Sequence, residues 1–384
     1  MELRVADRVH GDVRLPPLLA AIAGTRVFHR LDGIRQLGVC AFVYPSATHT
    51  RREHSLGVAH LCGVAARHLQ RLYPARVDDD DVLCVQVAGL VHDLGHGPFS
   101  HLFEELVGDD WSHEAMSVTL LDRVLPNDAA RHFATHLAAN VAFVRVLVRG
   151  LDSNEPLPTA CGRPESKRFL VDLVHARRTG FDVDKLDYLA RDSLAVFGTN
   201  NSFGIERIVH AMRVVDTPVA HVAFDDGVAH ELADIYRMRA RLHRQVYQHP
   251  RVLAVEATLV DALHAAGLDH PPVDVDHFLQ QTDAVVLAAV GGATVERLLV
   301  RHTKVPCTIA LATRPCCAVC GHETRVRDAF CAACGASTAT RARVAIGGGG
   351  DICGQTFERG CKLTCKSGMR CCRCCCMCKL RGKS

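Results

Sequence analysis

Residues 82–101 read Val-Leu-Cys-Val-Gln-Val-Ala-Gly-Leu-Val-His92-Asp93-Leu-Gly-His96-Gly-Pro-Phe-Ser-His101, and this stretch decides the predicted fold. Its first half is almost continuously apolar, which predicts a buried helix. That helix carries His92 and Asp93 into the interior, where an unpaired imidazole or carboxylate is costly. The glycines and the proline then predict that the chain turns and presents His96 and His101 on a loop. A buried His-Asp pair is either a metal site or a hydrogen-bonded structural couple.

Helical periodicity continues on both sides of this stretch and dominates the first 300 residues. Apolar residues recur at i, i+3 and i+4 in five windows, 57–72, 81–94, 113–125, 134–148 and 231–247. The apolar run 219–224 predicts one short strand in a hairpin whose partner the sequence does not place. Residues 156–164 read as a loop, and Pro271-Pro272 interrupts a helix. The sequence therefore predicts a mostly α domain over residues 1–305.

Charge and hydropathy exclude several classes of protein. The 384 residues carry a net charge of +3, but residues 341–384 contain ten Lys/Arg against two Asp/Glu, so the remainder is mildly acidic. No apolar run reaches the ~18 residues of a membrane helix, and the first residues lack the long apolar stretch of a secretory signal. We therefore expect a soluble, intracellular protein with no membrane partner, in the cytoplasm or the nucleus.

Fifteen of the 19 cysteines follow residue 305, where they change the character of the chain. Two C-x-x-C-G knuckles stand ten residues apart, and two such turns can complete a tetrahedral thiolate site with no open position. The pattern predicts a structural zinc ion in a small zinc-ribbon-like module over residues 306–340. Its predicted ligands are Cys317, Cys320, Cys331 and Cys334, with the adjacent Cys316 as an alternative to the first of them.

The C-terminal stretch 341–384 combines four successive glycines with nine irregularly spaced cysteines and many basic residues. It lacks the apolar residues for a packed core, so we predict a glycine hinge and a disordered tail. Its charge favours weak binding of a polyanion such as a nucleic acid, and binding of soft metals or the lack of any selected role are the alternatives. Phe357 is the only aromatic residue there, which argues against a base-stacking surface.

Six segments, met in order along the chain, resemble the HD-domain phosphohydrolases. The closest resemblance is to the deoxynucleoside triphosphate (dNTP) triphosphohydrolases of the sterile-alpha-motif and HD-domain type, here without a sterile-alpha-motif domain. It runs from about Asp7 to about Thr303. The segments are Arg35-Gln-Leu-Gly38, Arg51-Arg-Glu-His54-Ser-Leu-Gly57, residues 92–101, Trp111-Ser-His-Glu114, Asp182-Val-Asp184-Lys-Leu-Asp187-Tyr188-Leu-Ala-Arg-Asp192 and Leu242-His-Arg-Gln-Val-Tyr-Gln-His249.

The resemblance implies a helical HD fold and a catalytic divalent metal. The metal ligands that it implies are His54, His92, Asp93 and Asp184. Two nitrogens and two carboxylates suit iron, manganese, zinc or magnesium almost equally, so the ligands do not choose the ion. A further magnesium ion bridging the substrate phosphates is also implied. Buried histidines without a metal are the alternative reading.

The implied reaction is attack of metal-activated water on the α-phosphorus of a dNTP, which releases deoxynucleoside and triphosphate. The departing 5′-oxygen needs a proton, which a histidine supplies well near neutral pH. We assign this role to His101, oriented by Glu104 one helical turn later. Related enzymes commonly have Asp in place of Glu104. His96 and His113 would donate to phosphate oxygens, although His113 at the start of a helix could also be a surface residue.

The same resemblance implies contacts with the nucleotide. Arg51, Lys185 and Arg239 occupy its phosphate-contact positions, where guanidinium and ammonium groups suit phosphate oxygens. Tyr188 and Asp192 match contacts to the sugar and phosphate, and Gln36 matches the contact to the 3′-hydroxyl. Leu37 and Tyr247 would crowd a 2′-hydroxyl, with His243 in the same pocket. We expect dNTPs as substrates and a homo-oligomer, a dimer or larger.

Two positions differ from nucleotide-activated relatives. Gly24 and Asp32 stand where those relatives have the Asp and Arg that recognise an activating guanine nucleotide. A carboxylate in place of the arginine should repel a triphosphate, so we expect no guanine-nucleotide activation of that kind. Two other functions stay open. One is an HD phosphohydrolase acting on another nucleotide or a phosphomonoester, and the other is a nucleic-acid-binding protein whose HD pocket senses a ligand.

Overall fold

A computed structural model describes residues 2–108, 111–134, 137–198, 204–292, 295–296, 307–311, 342–346 and 354–356. Within these ranges the chain is mostly helical, as predicted. The helices are α1 (Pro17–Ala23), α2 (Arg26–His29), α3 (Arg51–Leu72), α4 (Asp79–Val91), α5 (His101–Val107), α6 (His113–Val124), α7 (Leu137–Arg149), α8 (Val171–Val174), α9 (Val183–Phe197), α10 (Ile205–His210), α11 (Ala229–Leu242), α12 (Pro250–Ala265), α13 (Val275–Gln280) and α14 (Asp283–Val290). The strands are β1 (Leu3–Asp7), β2 (Gly11–Leu15), β3 (Met212–Val215), β4 (His221–Phe224), β5 (Cys307–Leu311), β6 (Ala342–Ile346) and β7 (Gly354–Thr356).

Helix α4 lies at the centre of the core, as its continuous apolar sequence predicts. Its residues from Asp80 to Val91 are buried except for half-buried Leu83, and it packs against α1, α3, α7 and α8. A capping box begins the helix, because the side chains of Asp78 and Asp81 each accept the other's backbone N–H. Buried on all sides, this helix fixes where its C-terminal residues His92 and Asp93 lie.

The end of α4 differs from the predicted window 81–94. The helix ends at Val91, and the chain then turns through residues 92–100 before α5 begins. His92 caps the helix with its Nδ1 bonded to the carbonyl of Gly89 at 2.8 Å, and the amide of His96 bonds to the carbonyl of Asp93 at 3.1 Å. His101 is therefore the first residue of a helix, and the expectation that it lies on a loop is wrong.

The other predicted elements lie close to their windows. Helix α3 begins at Arg51, six residues before the predicted window 57–72, and α6 begins at His113 with Ser112 as its N-cap. The strand predicted at 219–224 is β4, and its partner in the hairpin is β3. The N-terminal hairpin was not predicted; in it β1 pairs with β2 from Leu3 opposite Leu15 to Asp7 opposite Gly11.

Three short strands lie in the described residues after position 306. Strand β6 pairs antiparallel with β5 and with β7. The prediction of disorder over 341–384 did not anticipate β6 and β7. The predicted zinc ligands and the predicted boundaries at 305/306 and 340/341 lie outside the described residues. None of the helices within the described ranges is long and apolar enough to span a bilayer.

Candidate metal centre and nucleotide pocket

Three helices bring four side chains together at one point. His54 comes from the first turn of α3, His92 and Asp93 from the end of α4, and Asp184 from the first turn of α9. His54 Nε2 lies 3.0 Å from Asp184 Oδ1 and 3.6 Å from Asp93 Oδ2. His92 Nε2 lies 3.4 Å from Asp93 Oδ1 and 3.8 Å from Asp184 Oδ1. The four residues predicted as metal ligands therefore converge.

The orientation of His92 fits a cation at this point. Its Nδ1 donates to the carbonyl of Gly89, so in the neutral imidazole Nε2 carries the lone pair. This Nε2 is buried, has no hydrogen-bond partner, and lies within 4 Å of the carboxylates of Asp93 and Asp184. Burial lowers the pKa of His92, but the carboxylates of Asp93 and Asp184 outweigh it and raise that pKa. The position therefore favours positive charge, which either a ring proton or a metal ion supplies. Histidine nitrogen and carboxylate oxygen are both ordinary ligands of transition ions.

The electrostatics of the centre also favour positive charge. Burial alone would lower the pKa of His54, but hydrogen bonding with Asp184 and Asp187 and the nearby carboxylates outweigh burial and raise that pKa to about 10. Burial opposes ionisation of Asp184, yet His54 and His92 hold the pKa of its carboxyl well below the usual range. The carboxylates therefore attract a cation to the centre, and a divalent metal ion would neutralise their negative charge.

Asp187 orients His54, a role that the sequence analysis did not assign. His54 Nδ1 donates to Asp187 Oδ2 at 2.7 Å, which leaves His54 Nε2 facing the centre. The same carboxylate accepts from His10 at 2.7 Å and from two nitrogens of Arg191 at 2.8 and 2.9 Å. Such outer carboxylates fix the ring orientation of metal-binding histidines. The sequence feature that could have indicated this role is the i, i+3 spacing of Asp184 and Asp187, which places both carboxylates on one face of the helix.

Gly57 makes room for that carboxylate. A Cβ atom on Gly57 would lie 2.0 Å from Asp187 Oδ1 and 2.5 Å from Arg191 NH2. We expect Gly57→Ala to lower the free energy of unfolding by about 1–3 kcal/mol, since it overpacks a buried ion pair. Displacing Asp187 should also weaken binding of Mn²⁺ by roughly 10- to 100-fold.

Urea denaturation and Mn²⁺ titration measure these two effects. Gly227→Ala is the matched control, because a Cβ on Gly227 would meet no heavy atom within 4 Å. Equal stability and equal Mn²⁺ affinity in the two variants would contradict the role given to Gly57 and Asp187.

A second cluster contains His96, His101, Glu104 and His113. Glu104 Oε2 accepts from His101 Nδ1 at 3.1 Å, the contact that the i, i+3 spacing suggested. Glu104 Oε1 accepts from His113 Nδ1 at 2.7 Å, so one carboxylate orients two histidines. Burial opposes ionisation of Glu104, but these contacts hold the pKa of its carboxyl far below the usual range. The side chain of His113 is only 16% exposed, so His113 is not a surface residue.

The geometry of this cluster suits an anion better than a metal ion. Ligand atoms of the four residues lie within 4.8 Å of one another, but the rings of His96 and His113 are stacked 3.9 Å apart and tilted by only 16°. Imidazole lone pairs lie in the ring plane, so stacked rings do not direct them at one ion. Both ring nitrogens of His96 are buried, and its Nε2 lies 3.2 Å from Asp93 Oδ1. Burial holds the pKa of His96 well below the usual value, against the raising effect of Asp93. A neutral His96 can donate one hydrogen bond to an incoming oxygen.

Arg51 and Ser117 hold the turn between the two clusters. Arg51 donates to Asp93 Oδ2 at 2.6 Å and to Ser100 Oγ at 2.9 Å, and it is 3% exposed. Ser117 Oγ accepts from the amide of Gly95 at 2.8 Å and donates to the carbonyl of His92 at 2.6 Å. Arg51, which was predicted to contact phosphate, therefore also binds Asp93. Ser117 supports the turn, a role that was not predicted from the sequence.

Comparison with known proteins agrees with this geometry. The family described as HD domain matches residues 51–145, which include three of the four converging side chains. Residues 51–145 are an HD domain. The chain is 36% identical over 304 residues to the deoxynucleoside triphosphate triphosphohydrolase SAMHD1 of Homo sapiens, covering 75% of this chain and 46% of that protein.

Other relatives show the same partial coverage. The SAMHD1 protein of Gallus gallus is 36% identical over 280 residues, covering 68% of this chain and 45% of that protein. The SAMHD1 homolog of Dictyostelium discoideum is 30% identical over 285 residues, covering 73% of this chain and 50% of that protein. The chain thus spans about half the length of these relatives. The resemblance to HD-domain dNTP triphosphohydrolases is confirmed.

Outside the HD domain match, helix α9 extends the site away from the metal centre. Asp184, Tyr188 and Asp192 follow one another at intervals of one helical turn, so about 12 Å separates the first from the last. Lys185 donates to Asp182 Oδ2 at 2.8 Å, beside Asp184. The residues predicted to contact phosphate and sugar thus form a line that begins at the metal centre.

The far end of that line is closed by aromatic and polar side chains. Asp192 accepts from Tyr247 OH at 2.5 Å and from His49 Nε2 at 2.8 Å. The rings of His243 and Tyr247 are 5.0 Å apart and nearly perpendicular, and burial with the charge of Arg239 lowers the pKa of His243 to about 4. The structure therefore brings Asp192, Tyr247 and His243 together, as the sequence analysis expected. The contact with His49 is new.

Gln36 and Leu37 lie in the loop that precedes α3. Gln36 is buried, and its side-chain Oε1 has no hydrogen-bond partner. Its backbone N–H donates to the carbonyl of His49 at 3.1 Å. A buried acceptor without a donor fits a ligand hydroxyl. Leu37 is half-buried beside it. The predicted contact of Gln36 with the 3′-hydroxyl thus has a suitable unsatisfied atom.

Proposed function

We propose that the chain hydrolyses dNTPs to deoxynucleoside and triphosphate, using a divalent metal held by His54, His92, Asp93 and Asp184. The observation that carries this proposal is the convergence of the buried His92 Nε2, which lies within 4 Å of the carboxylates of Asp93 and Asp184, with an oriented His54. The related SAMHD1 proteins are named for this reaction. Because the chain spans about half of their length, its own activity requires the direct test given below.

Each group of side chains has one task in this reaction. His54, His92, Asp93 and Asp184 would hold a divalent cation, which would polarise a phosphoryl oxygen and lower the pKa of water. His101 supplies the proton to the departing 5′-oxygen, because Glu104 binds its Nδ1 and leaves Nε2 for the substrate. Glu104 also stabilises the charged form of His101, and His96 and His113 donate to phosphate oxygens.

The remaining residues hold the nucleotide. Arg51, Lys185 and Arg239 offset the charge of the triphosphate. A magnesium ion bound with the substrate would supply further positive charge. Gln36 accepts from the 3′-hydroxyl, while Tyr188 and Asp192 contact the sugar and phosphate. Leu37, His243 and Tyr247 close the sugar end and leave no room for a 2′-hydroxyl. Buried polar groups that match one hydroxyl pattern give strong discrimination against another.

Three further parts of the proposal rest on sequence alone. They are the structural zinc site at Cys317, Cys320, Cys331 and Cys334 in a module over 306–340, weak polyanion binding by the tail over 341–384, and a homo-oligomer. The HD domain match does not choose among iron, manganese, zinc and magnesium for the centre, and our proposal includes all four. The lack of guanine-nucleotide activation, inferred from Gly24 and Asp32, likewise stays a prediction.

Product identification tests the function. The purified chain is incubated with each dNTP and each NTP and with Mn²⁺ or Mg²⁺, and the products are separated by anion-exchange chromatography. We expect deoxynucleoside and intact triphosphate from dNTPs and no hydrolysis of NTPs. Release of pyrophosphate or orthophosphate would instead support an HD phosphohydrolase of another specificity. Failure to hydrolyse any nucleotide, with metal bound, would support the ligand-sensing alternative.

A further inference from the structure

The turn that leads into His101 has an unusual backbone. Phe99 and Ser100 have φ values of +61° and +60°, and no other non-glycine residue in the described ranges has a positive φ. Side chains other than glycine rarely adopt this region, and such residues persist only where their surroundings enforce it. Something must therefore hold the turn in place immediately before the proposed catalytic acid.

Asp283, from the first turn of α14, is the group that holds it. Its Oδ1 accepts from the amide of Phe99 at 2.7 Å, and its Oδ2 accepts from the amide of Arg35 at 2.9 Å. One carboxylate thus joins the turn before His101 to the loop that carries Gln36. Ser100 Oγ reinforces the junction by donating to the carbonyl of Arg35 at 2.7 Å.

The carboxylate is buried, and its partners keep it in the charged form at neutral pH. Asp283 is 6% exposed, and burial raises its pKa to about 6, against the lowering effect of the amides of Phe99 and Arg35 and of the charges of Arg35 and Arg30. A carboxylate can accept at both oxygens at once, which a protonated acid or an amide does less well. Both backbone bonds therefore depend on the ionised side chain.

Arg30 fixes the segment that delivers Asp283. Its guanidinium donates to the carbonyl of Gln281 at 3.0 Å and to the carbonyl of His96 at 2.9 Å, and it lies over the ring of Phe278 at 4.1 Å. Arg30 therefore links the segment 278–283 to the turn that bears His96. Arg30 and that segment both lie outside the HD domain match over 51–145.

We propose that Asp283 is a positioning residue for the proposed catalytic site, because its carboxylate holds the strained turn at Phe99 and Ser100 and so places His101. The inference rests on the proposed function. The two loops depend on Asp283 to different degrees. The Gln36 loop has other tethers, since the amide of Gln36 bonds to the carbonyl of His49 and the amide of Arg51 to the carbonyl of Ile34. In the turn, the side chain of Ser100 is held by Arg51 and by the carbonyl of Arg35, but the amide of Phe99 has only the carboxylate of Asp283 among the described residues.

The test compares Asp283→Asn with wild type and with Asp276→Asn in the full chain. Asp276 is an exposed carboxylate on the neighbouring helix α13 and is the matched control. Because the change loosens the turn before His101 and spares the Gln36 loop, we expect kcat to fall about tenfold or more while KM changes by less than about threefold. Bound Mn²⁺ per chain should stay at the wild-type value. The amide of Phe99 should exchange with deuterium faster.

Two results would overturn the proposal. One is a kcat for Asp283→Asn within about twofold of both wild type and Asp276→Asn. The other is a loss of kcat that is matched by an equal loss of bound Mn²⁺, which would indicate general damage to the site. If wild type hydrolyses no dNTP, the proposed function fails by itself. Amide exchange then still decides the matter, because unchanged protection of Phe99 in Asp283→Asn would exclude positioning by this carboxylate.

Discussion

Replacing both His92 and Asp93 with alanine should remove the bound metal and dNTP hydrolysis together, with kcat reduced by roughly 10⁴-fold or more. These two residues supply two of the four proposed ligands, and helix α4 delivers both of them. The remaining pair, His54 and Asp184, cannot complete a four-ligand site. Elemental analysis of the purified variant and the rate of triphosphate release measure the two effects on the same sample.

Two further variants make this result interpretable. Asp93 is buried and bound to Arg51, so His92→Gln with Asp93→Asn preserves the shape of the site better than alanine does. The exposed pair His264 and Asp269, whose side chains are 2.7 Å apart, gives a matched control in which two alanines should change neither metal content nor rate. Hydrolysis at the wild-type rate in the folded His92 and Asp93 variant would refute the mechanism.

His101→Asn should reduce kcat by about 10²- to 10⁴-fold while leaving the metal content unchanged. The imidazole is the proposed donor to the departing 5′-oxygen, and asparagine cannot transfer a proton. The side chain of His101 is 47% exposed, so its loss should not unfold the chain. Single-turnover measurement of deoxynucleoside release, with metal analysis of the same preparation, checks both statements.

The control for His101 is another exposed histidine. His230 lies on the surface of α11, and His230→Asn should keep the wild-type rate. The kcat of Glu104→Gln is expected to lie between those of His101→Asn and His230→Asn, because this change removes the charge that orients His101 but keeps the imidazole. A kcat for His101→Asn within about threefold of wild type would exclude His101 as the acid.

Local patterns predicted the elements of the fold well, because their causes are local. The apolar run before His92 predicts a buried helix, and α4 is buried on all sides. The hairpin β1–β2 was missed for the opposite reason. Its alternation is short, and the pairing of Leu3 with Leu15 becomes favourable only when the hairpin packs against α1 and α3.

The composition of the site was also predictable from the sequence. Each motif contributes residues from one helix end, so spacing alone places His92 beside Asp93 and Glu104 one turn from His101. The second partner of Glu104, His113, was not predictable. It begins a different helix, and the contact depends on how α5 and α6 lie against each other.

The sequence by itself determined the helical class of this protein and the central buried helix, since periodicity acts within a few turns of chain. Its resemblance to a family implied the identity of the four converging side chains. Only the tertiary structure decided which distant groups orient them. Asp187 binds His54 across 133 residues of sequence, and Asp283 binds the amide of Phe99 across 184. Such contacts are set by the packing of helices, and no local pattern encodes a hydrogen bond between residues so far apart in the chain.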